Sequence, residues 1–159
     1  MAKQRKLTES EITLARTAFG DWIKYAKVRL SDGPGLQPLA HAAFAKGNPA
    51  ITVGSTVYFK RGYCRDFSAP GEDRVAFLHE MTHVWQYQRL GLAAFFARYG
   101  AEFAAVGGKP DRMYLYSSGD PFDGAMLEAQ AEMVADYSAG AAKRAKAASS
   151  LARTGFYGL

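Results

Sequence analysis

The sequence predicts an α+β fold, and three observations carry that prediction. Thr8 and Glu11 form a capping-box pair ahead of apolar residues at helical spacing. The stretch 50-AITVGSTVYF-59 is rich in β-branched and aromatic residues, as a strand or a tight hairpin requires. Two further helical patterns, over 74–90 and 125–148, follow with no linker-like stretch between separate cores, so one domain is expected over residues 1–159.

Ile12, Leu14, Ala15, Phe19 and Trp22 recur at helical spacing and predict a first helix over 9–25. Val28–Leu30 reads as a short strand, closed by the turn-rich SDGPGLQP. A small Ala-rich segment of undetermined type surrounds His41. In 50–59, Gly54-Ser55 near the middle implies a bulge or a hairpin turn. The loop 66–73 brings Glu72 and Asp73 to the start of the 74–90 helix, where negative charge is favourable, and Gly91 suits its C-terminal end. A helix over 92–106 stops at GGKPD, a short strand is expected at 113–116, and the 125–148 helix leads into a basic tail at 138–159.

Composition bounds the function. The 159 residues are 48% hydrophobic and 22% charged, which are globular values. The formal charge of +5 is concentrated at the ends, in Lys3, Arg5 and Lys6 and in Lys143, Arg144, Lys146 and Arg153. No nucleic-acid fold signature accompanies it, so solubilising termini are expected and nucleic acid is not an expected partner. The single cysteine, Cys64, excludes an internal disulfide and reads as a small buried hydrophobe rather than a nucleophile. The N-terminal residues lack the apolar run of a Sec signal, and the longest apolar block, 90-LGLAAFF-96, is too short for a transmembrane segment. Cytoplasmic synthesis is expected; export by a non-Sec route would leave no such trace.

The chemistry is concentrated in 79-HEMTH-83. On a helix, His79 and His83 share one face a turn apart, within reach of a single ion. Catalytic zinc takes three protein ligands and leaves one position for water, beside which Glu80 can act as general base. Val75, Phe77, Leu78, Met81, Val84 and Trp85 make the rest of the helix apolar, and a buried helix carrying three such polar groups needs partners for them. One zinc ion would satisfy all three.

The third ligand lies elsewhere. A metzincin pattern requires Gly and His at the positions of Gln86 and Arg89, and His41 stands in an unconvincing context. A carboxylate is therefore expected from 125-AMLEAQAEMVADY-137, where Glu128, Glu132 and Asp136 share a face at i, i+4, i+8. Either Glu128 or Glu132 can be the ligand, with the acid four residues later in support of a ligating histidine. Spacing does not separate them.

Together, HEMTHVWQYQ, AITVGSTVYF, ESEITLARTAFGDWIKYAKVRL and EAQAEMVADY resemble the small Vgr-related proteins. These are similar to the metallopeptidase core domain found beside contractile injection systems, and the likeness covers about residues 7–137. It implies a compact zincin-like fold in which the histidine helix and a second ligand helix pack with a small sheet. It also implies a gluzincin-like ligand set of His79, His83 and a Glu, with Glu80 as base. The opening E-x-Q-A of the later motif favours Glu128, leaving Glu132 and Asp136 as supporting groups or alternative ligands.

The expected activity is a zinc-dependent hydrolase, most simply a peptidase, acting on a peptide or peptidoglycan-like substrate. Tyr114 and Tyr116 are candidates for stabilising the oxyanion. The alternative is a non-catalytic, metal-stabilised module that binds a secretion-apparatus partner. An intact Glu80 disfavours it, because a purely structural site needs no base.

Overall fold

The computed structural model describes residues 3–60, 63 and 65–159. Cys64 lies outside the described residues. The chain forms four short strands, six α-helices and three 3-10 turns among the described residues, an α+β architecture.

β1 (Lys3–Arg5) occupies the segment expected to be a solubilising terminus. It pairs antiparallel with β2 (Arg29–Asp32), and the reason it is ordered is Glu11. That fully buried carboxylate accepts both terminal nitrogens of Arg5, at 2.8 and 2.7 Å. It also accepts the backbone N–H of Thr8 at 2.9 Å, completing the capping box of α1 (Glu9–Phe19), and that of Phe67 at 3.0 Å. One side chain therefore ties the edge strand, a helix start and the loop before the histidine helix. Glu11→Ala removes that carboxylate from a guanidinium and two N–H groups. The expected loss is on the order of 3 kcal/mol, read from the midpoint of urea unfolding.

α1 ends at Phe19 rather than running to Tyr25, because Gly20 adopts φ 53° and donates its N–H to the Arg16 carbonyl. Tyr25–Lys27 is instead a 3-10 turn whose Tyr25 hydroxyl donates to the Gly20 carbonyl at 2.6 Å. The Ala-rich segment around His41 is a helix, α2 (Pro38–Ala45), with Pro38 in its first turn. β3 (Ala50–Val53) and β4 (Thr56–Phe59) form a hairpin through Gly54-Ser55, where Gly54 takes φ 64°. The sheet order is β1-β2-β4-β3, with β2 and β4 parallel and β3 at an edge.

α3 (Glu72–Leu90) is the histidine helix. Its Phe77, Leu78, Met81 and Val84 are fully buried among Leu14 and Phe19 of α1, Leu30 and Val57 of the sheet, and Met133. Burial on several sides explains why its sequence lacks a clean polar face. α4 (Leu92–Ala105) follows Gly91 at φ 84°. The strand expected at 113–116 is absent: Pro110–Tyr114 is a 3-10 turn that Pro110 starts, and Leu115 is exposed with no sheet neighbour. The helix expected over 125–148 is two helices, α5 (Leu127–Asp136) and α6 (Ala141–Leu151). Gly140 at φ 137° breaks the run, and Met126 is still extended, so α5 starts two residues later than the spacing implied.

Candidate metal centre

α3 and α5 pack side by side and bring three donor atoms together. His79 Nε2 lies 3.2 Å from His83 Nε2, and Glu128 Oε2 lies 3.1 Å from the first and 3.0 Å from the second. A tetrahedral ion with bonds of ~2.0–2.1 Å spans ligand pairs by roughly 3.3 Å, so this triangle is close to a zinc-sized face. Two imidazole nitrogens and one carboxylate oxygen also suit a borderline-soft divalent cation. His79, His83 and Glu128 thus form a group able to hold a metal ion.

The electrostatics favour positive charge at this point. Burial opposes the charged form of His79, but hydrogen bonds to the Glu128 and Glu132 carboxylates outweigh it and push the imidazole up to about 10. Burial likewise opposes ionisation of His83 and Glu128. Their mutual attraction prevails, raising His83 and holding Glu128 well below the usual carboxylate range. A cation placed among these donors would take over the role of the protons.

The far side of each donor is also anchored. His83 Nδ1 donates to the side-chain amide oxygen of Gln86 at 2.8 Å, which leaves Nε2 as the nitrogen that can give up its proton and offer a lone pair to a cation. Gln86 in turn donates to the Leu127 carbonyl at 2.9 Å and to Gln130 at 3.0 Å. Gln130 then donates to the Phe122 carbonyl at 2.9 Å, which locks α3 to α5 and its preceding loop. His79 Nδ1 faces Glu132 at 3.3 Å, and the Tyr99 hydroxyl donates to Glu128 Oε1 at 2.9 Å. Tyr114 stacks on His79 at 5.8 Å between ring centres, and Phe95 meets His83 edge-on at 6.1 Å.

Glu80 is nearly buried, and Thr52 of β3 donates to its Oε2 at 2.6 Å. The Thr52 hydroxyl also lies 3.3 Å from the Glu80 carbonyl, so the sheet edge is pinned to α3 at this residue. Glu80 and His79 open onto a cleft of about 760 Å³ that Ala50, Tyr114, Glu132 and Lys143 also line. Burial pushes the Tyr114 phenol up, and the neighbouring carboxylates reinforce the shift, so it stands as a neutral donor.

The remaining candidates lie apart from the donors. The Tyr116 hydroxyl donates to Asp136 Oδ2 at 2.7 Å, with the Lys146 ammonium 3.9 Å over its ring. Asp136 also meets Lys143 at 3.9 Å, so the end of the acidic ladder is engaged on α6 and bonds to neither histidine. His41 is exposed and pairs with the Gly35 carbonyl at 2.8 Å. Sequence reasoning missed Thr52, Gln86, Tyr99 and Gln130. Gln86 was detectable, since it lies three residues after His83 on the same helical face. Thr52 was not, being 28 positions from Glu80.

The fold and part of the sequence are similar to those of known proteins. The solved effector domain of Pseudomonas aeruginosa VgrG2b superposes with a TM-score of 0.68 at 30% identity, over 93% of this chain and 82% of that one. The Pseudomonas aeruginosa type VI secretion system spike protein VgrG2b is 40% identical over 85 residues, which is 53% of this chain. The matched region is only 8% of the spike protein's length. The model of the eCIS core domain matches residues 10–91, from α1 through β2, β3 and β4 to the end of the histidine helix. That span holds His79, Glu80 and His83 and exceeds half of the chain, so the protein belongs to the eCIS core domain family.

Proposed function

We propose that this protein is a zinc-dependent metallohydrolase of the peptidase type, folded as one zincin-like domain. The observation that carries the reading is the position of Glu80, held by Thr52 and opening onto the same cleft as His79, which His83 and Glu128 join in the donor triangle behind it. Bound zinc would polarise a scissile carbonyl and lower the pKa of a bound water into the neutral range. Glu80 is placed to take up the proton of a water at the cleft and would pass it to the leaving amine. Glu132 and Gln86 hold the two histidines in the tautomers that point Nε2 inward. Tyr114, stacked on His79 at the cleft, is the better placed donor for the developing oxyanion, because Tyr116 is committed to Asp136.

The edge strand β3 supplies the rest. Its Ala50 lines the cleft, and an extended substrate can add to its outer edge through backbone hydrogen bonds, with little dependence on side chains. The substrate class is a peptide or the peptide part of a peptidoglycan-like polymer. The likeness to an effector domain of a spike protein supports delivery by a contractile injection system, with the apparatus as partner. The alternative of a non-catalytic module fits less well. Such a site has four protein ligands as a rule, whereas three donors converge here.

Metal removal tests the reading. The purified protein is expected to carry about one zinc per chain and to cleave an unfolded protein substrate such as casein. A chelator should abolish cleavage, and added zinc should restore it. Absence of zinc after chelator-free purification, with none taken up on titration, overturns the proposal.

A further inference from the structure

The helix beside the metal centre is inside out. α4 turns Phe95, Arg98, Tyr99 and Glu102 toward the protein, and Arg98 and Glu102 pair with each other at 2.8 Å. Arg98 also donates to the Ala125 carbonyl and Glu102 accepts the Leu127 N–H, so both charges of the helix are spent inward, on the start of α5. Its outward positions include Leu92, Phe96, Ala97, Gly100, Ala101 and Phe103, all exposed and none charged. Leu92, Phe96 and Phe103 are 54, 39 and 42% exposed. A surface helix normally has the reverse arrangement, and a contiguous exposed apolar stripe marks a surface that is covered in use.

Charge indicates what covers it. Lys24 and Lys27 share a crevice with Leu92 at the start of the stripe. Lys109 and Arg112, both exposed, follow its end in the turn after Gly107-Gly108. Asp111 is the one acid in that turn, so cations dominate both ends of the stripe while the stripe itself carries no charge. A protein interface would more often set polar groups of both signs around an apolar centre. An apolar face closed at each end by lysine and arginine matches the boundary between acyl chains and anionic headgroups.

We propose that α4 is a membrane-docking helix, which lies flat in an anionic lipid surface with Leu92, Phe96 and Phe103 in the acyl boundary. None of the helices among the described residues is long and apolar enough to cross a membrane, so the association is interfacial. α4 also carries Phe95 against His83 and Tyr99 onto Glu128, which puts the metal centre one helix away from the lipid. Substrates at or near the membrane surface would then meet the site at raised local concentration.

The test is co-sedimentation of the full chain with vesicles of phosphatidylcholine alone or with one-third phosphatidylglycerol. The wild type is expected to pellet with the anionic vesicles and to stay in solution with the neutral ones. Leu92→Glu with Phe96→Glu should weaken partitioning at least tenfold, and Lys24→Ala with Lys27→Ala by roughly fivefold per cation removed. Thermal melting of each variant checks that the fold is kept, because Phe96 and Phe103 are more than half covered and Phe96 meets the Tyr87 ring edge-on at 5.9 Å. Phe103→Glu alone provides a second reading if the double variant unfolds. Failure of the wild type to pellet, or equal pelleting of the apolar-face variants, overturns the proposal. A wild type that ignores vesicles but self-associates through the same residues makes this a protein interface and overturns it too.

Discussion

Glu80→Gln is expected to lower hydrolysis by roughly 10²–10⁴-fold while the protein keeps its zinc. The amide is nearly isosteric, still accepts the hydrogen bond from Thr52, and lies outside the donor triangle of His79, His83 and Glu128. What it lacks is the site that, on the proposed mechanism, takes the proton of the attacking water. Metal content by elemental analysis and initial rates on the same preparation separate the two effects. Parallel loss of metal and activity would make Glu80 a ligand or a structural group. Full activity in Glu80→Gln would remove the general-base role.

The second large effect separates two acids on one helix. Glu128→Ala deletes the oxygen that lies 3.1 and 3.0 Å from the two Nε2 atoms, and it is expected to lose stoichiometric zinc altogether. Glu132 reaches only the outer nitrogen of His79, at 3.3 Å, and its side chain is about one-third exposed. Glu132→Ala should therefore still fill with zinc, at an affinity weakened roughly 10–100-fold. Competition with a chromogenic chelator measures both. The reverse order, with zinc kept in Glu128→Ala and lost in Glu132→Ala, would transfer the ligand role to Glu132 and require α5 to rotate about its axis.

Local patterns in the chain announced most of the helices, because a helix is made of contacts three and four residues apart. The capping box at Thr8 and Glu11, the apolar spacing of α1 and the His79–His83 pairing all lie within a few turns. The errors have local and non-local causes. Ending α1 at Gly20 and splitting the 125–148 run at Gly140 depend on single residues with positive φ, which the surrounding helix-forming sequence masked. The strand β1 depends on a partner, β2, some 25 residues away, and on a buried carboxylate that binds Arg5. A basic N-terminal tripeptide read alone carries neither fact.

The sequence by itself determined that two histidines and a glutamate share a buried helix, and it led to the expectation that a carboxylate on one face of a later helix joins them. Both statements follow from helical period and from the cost of burying unpartnered polar groups. The tertiary structure decided which carboxylate stands at both Nε2 atoms, because the rotation and offset of α5 against α3 are set by packing across the core, not by spacing along α5. It also decided that Gln86 and Thr52 orient the site and that α4 turns its charges inward. Those contacts join residues far apart in the chain, or depend on which side of a helix the core occupies.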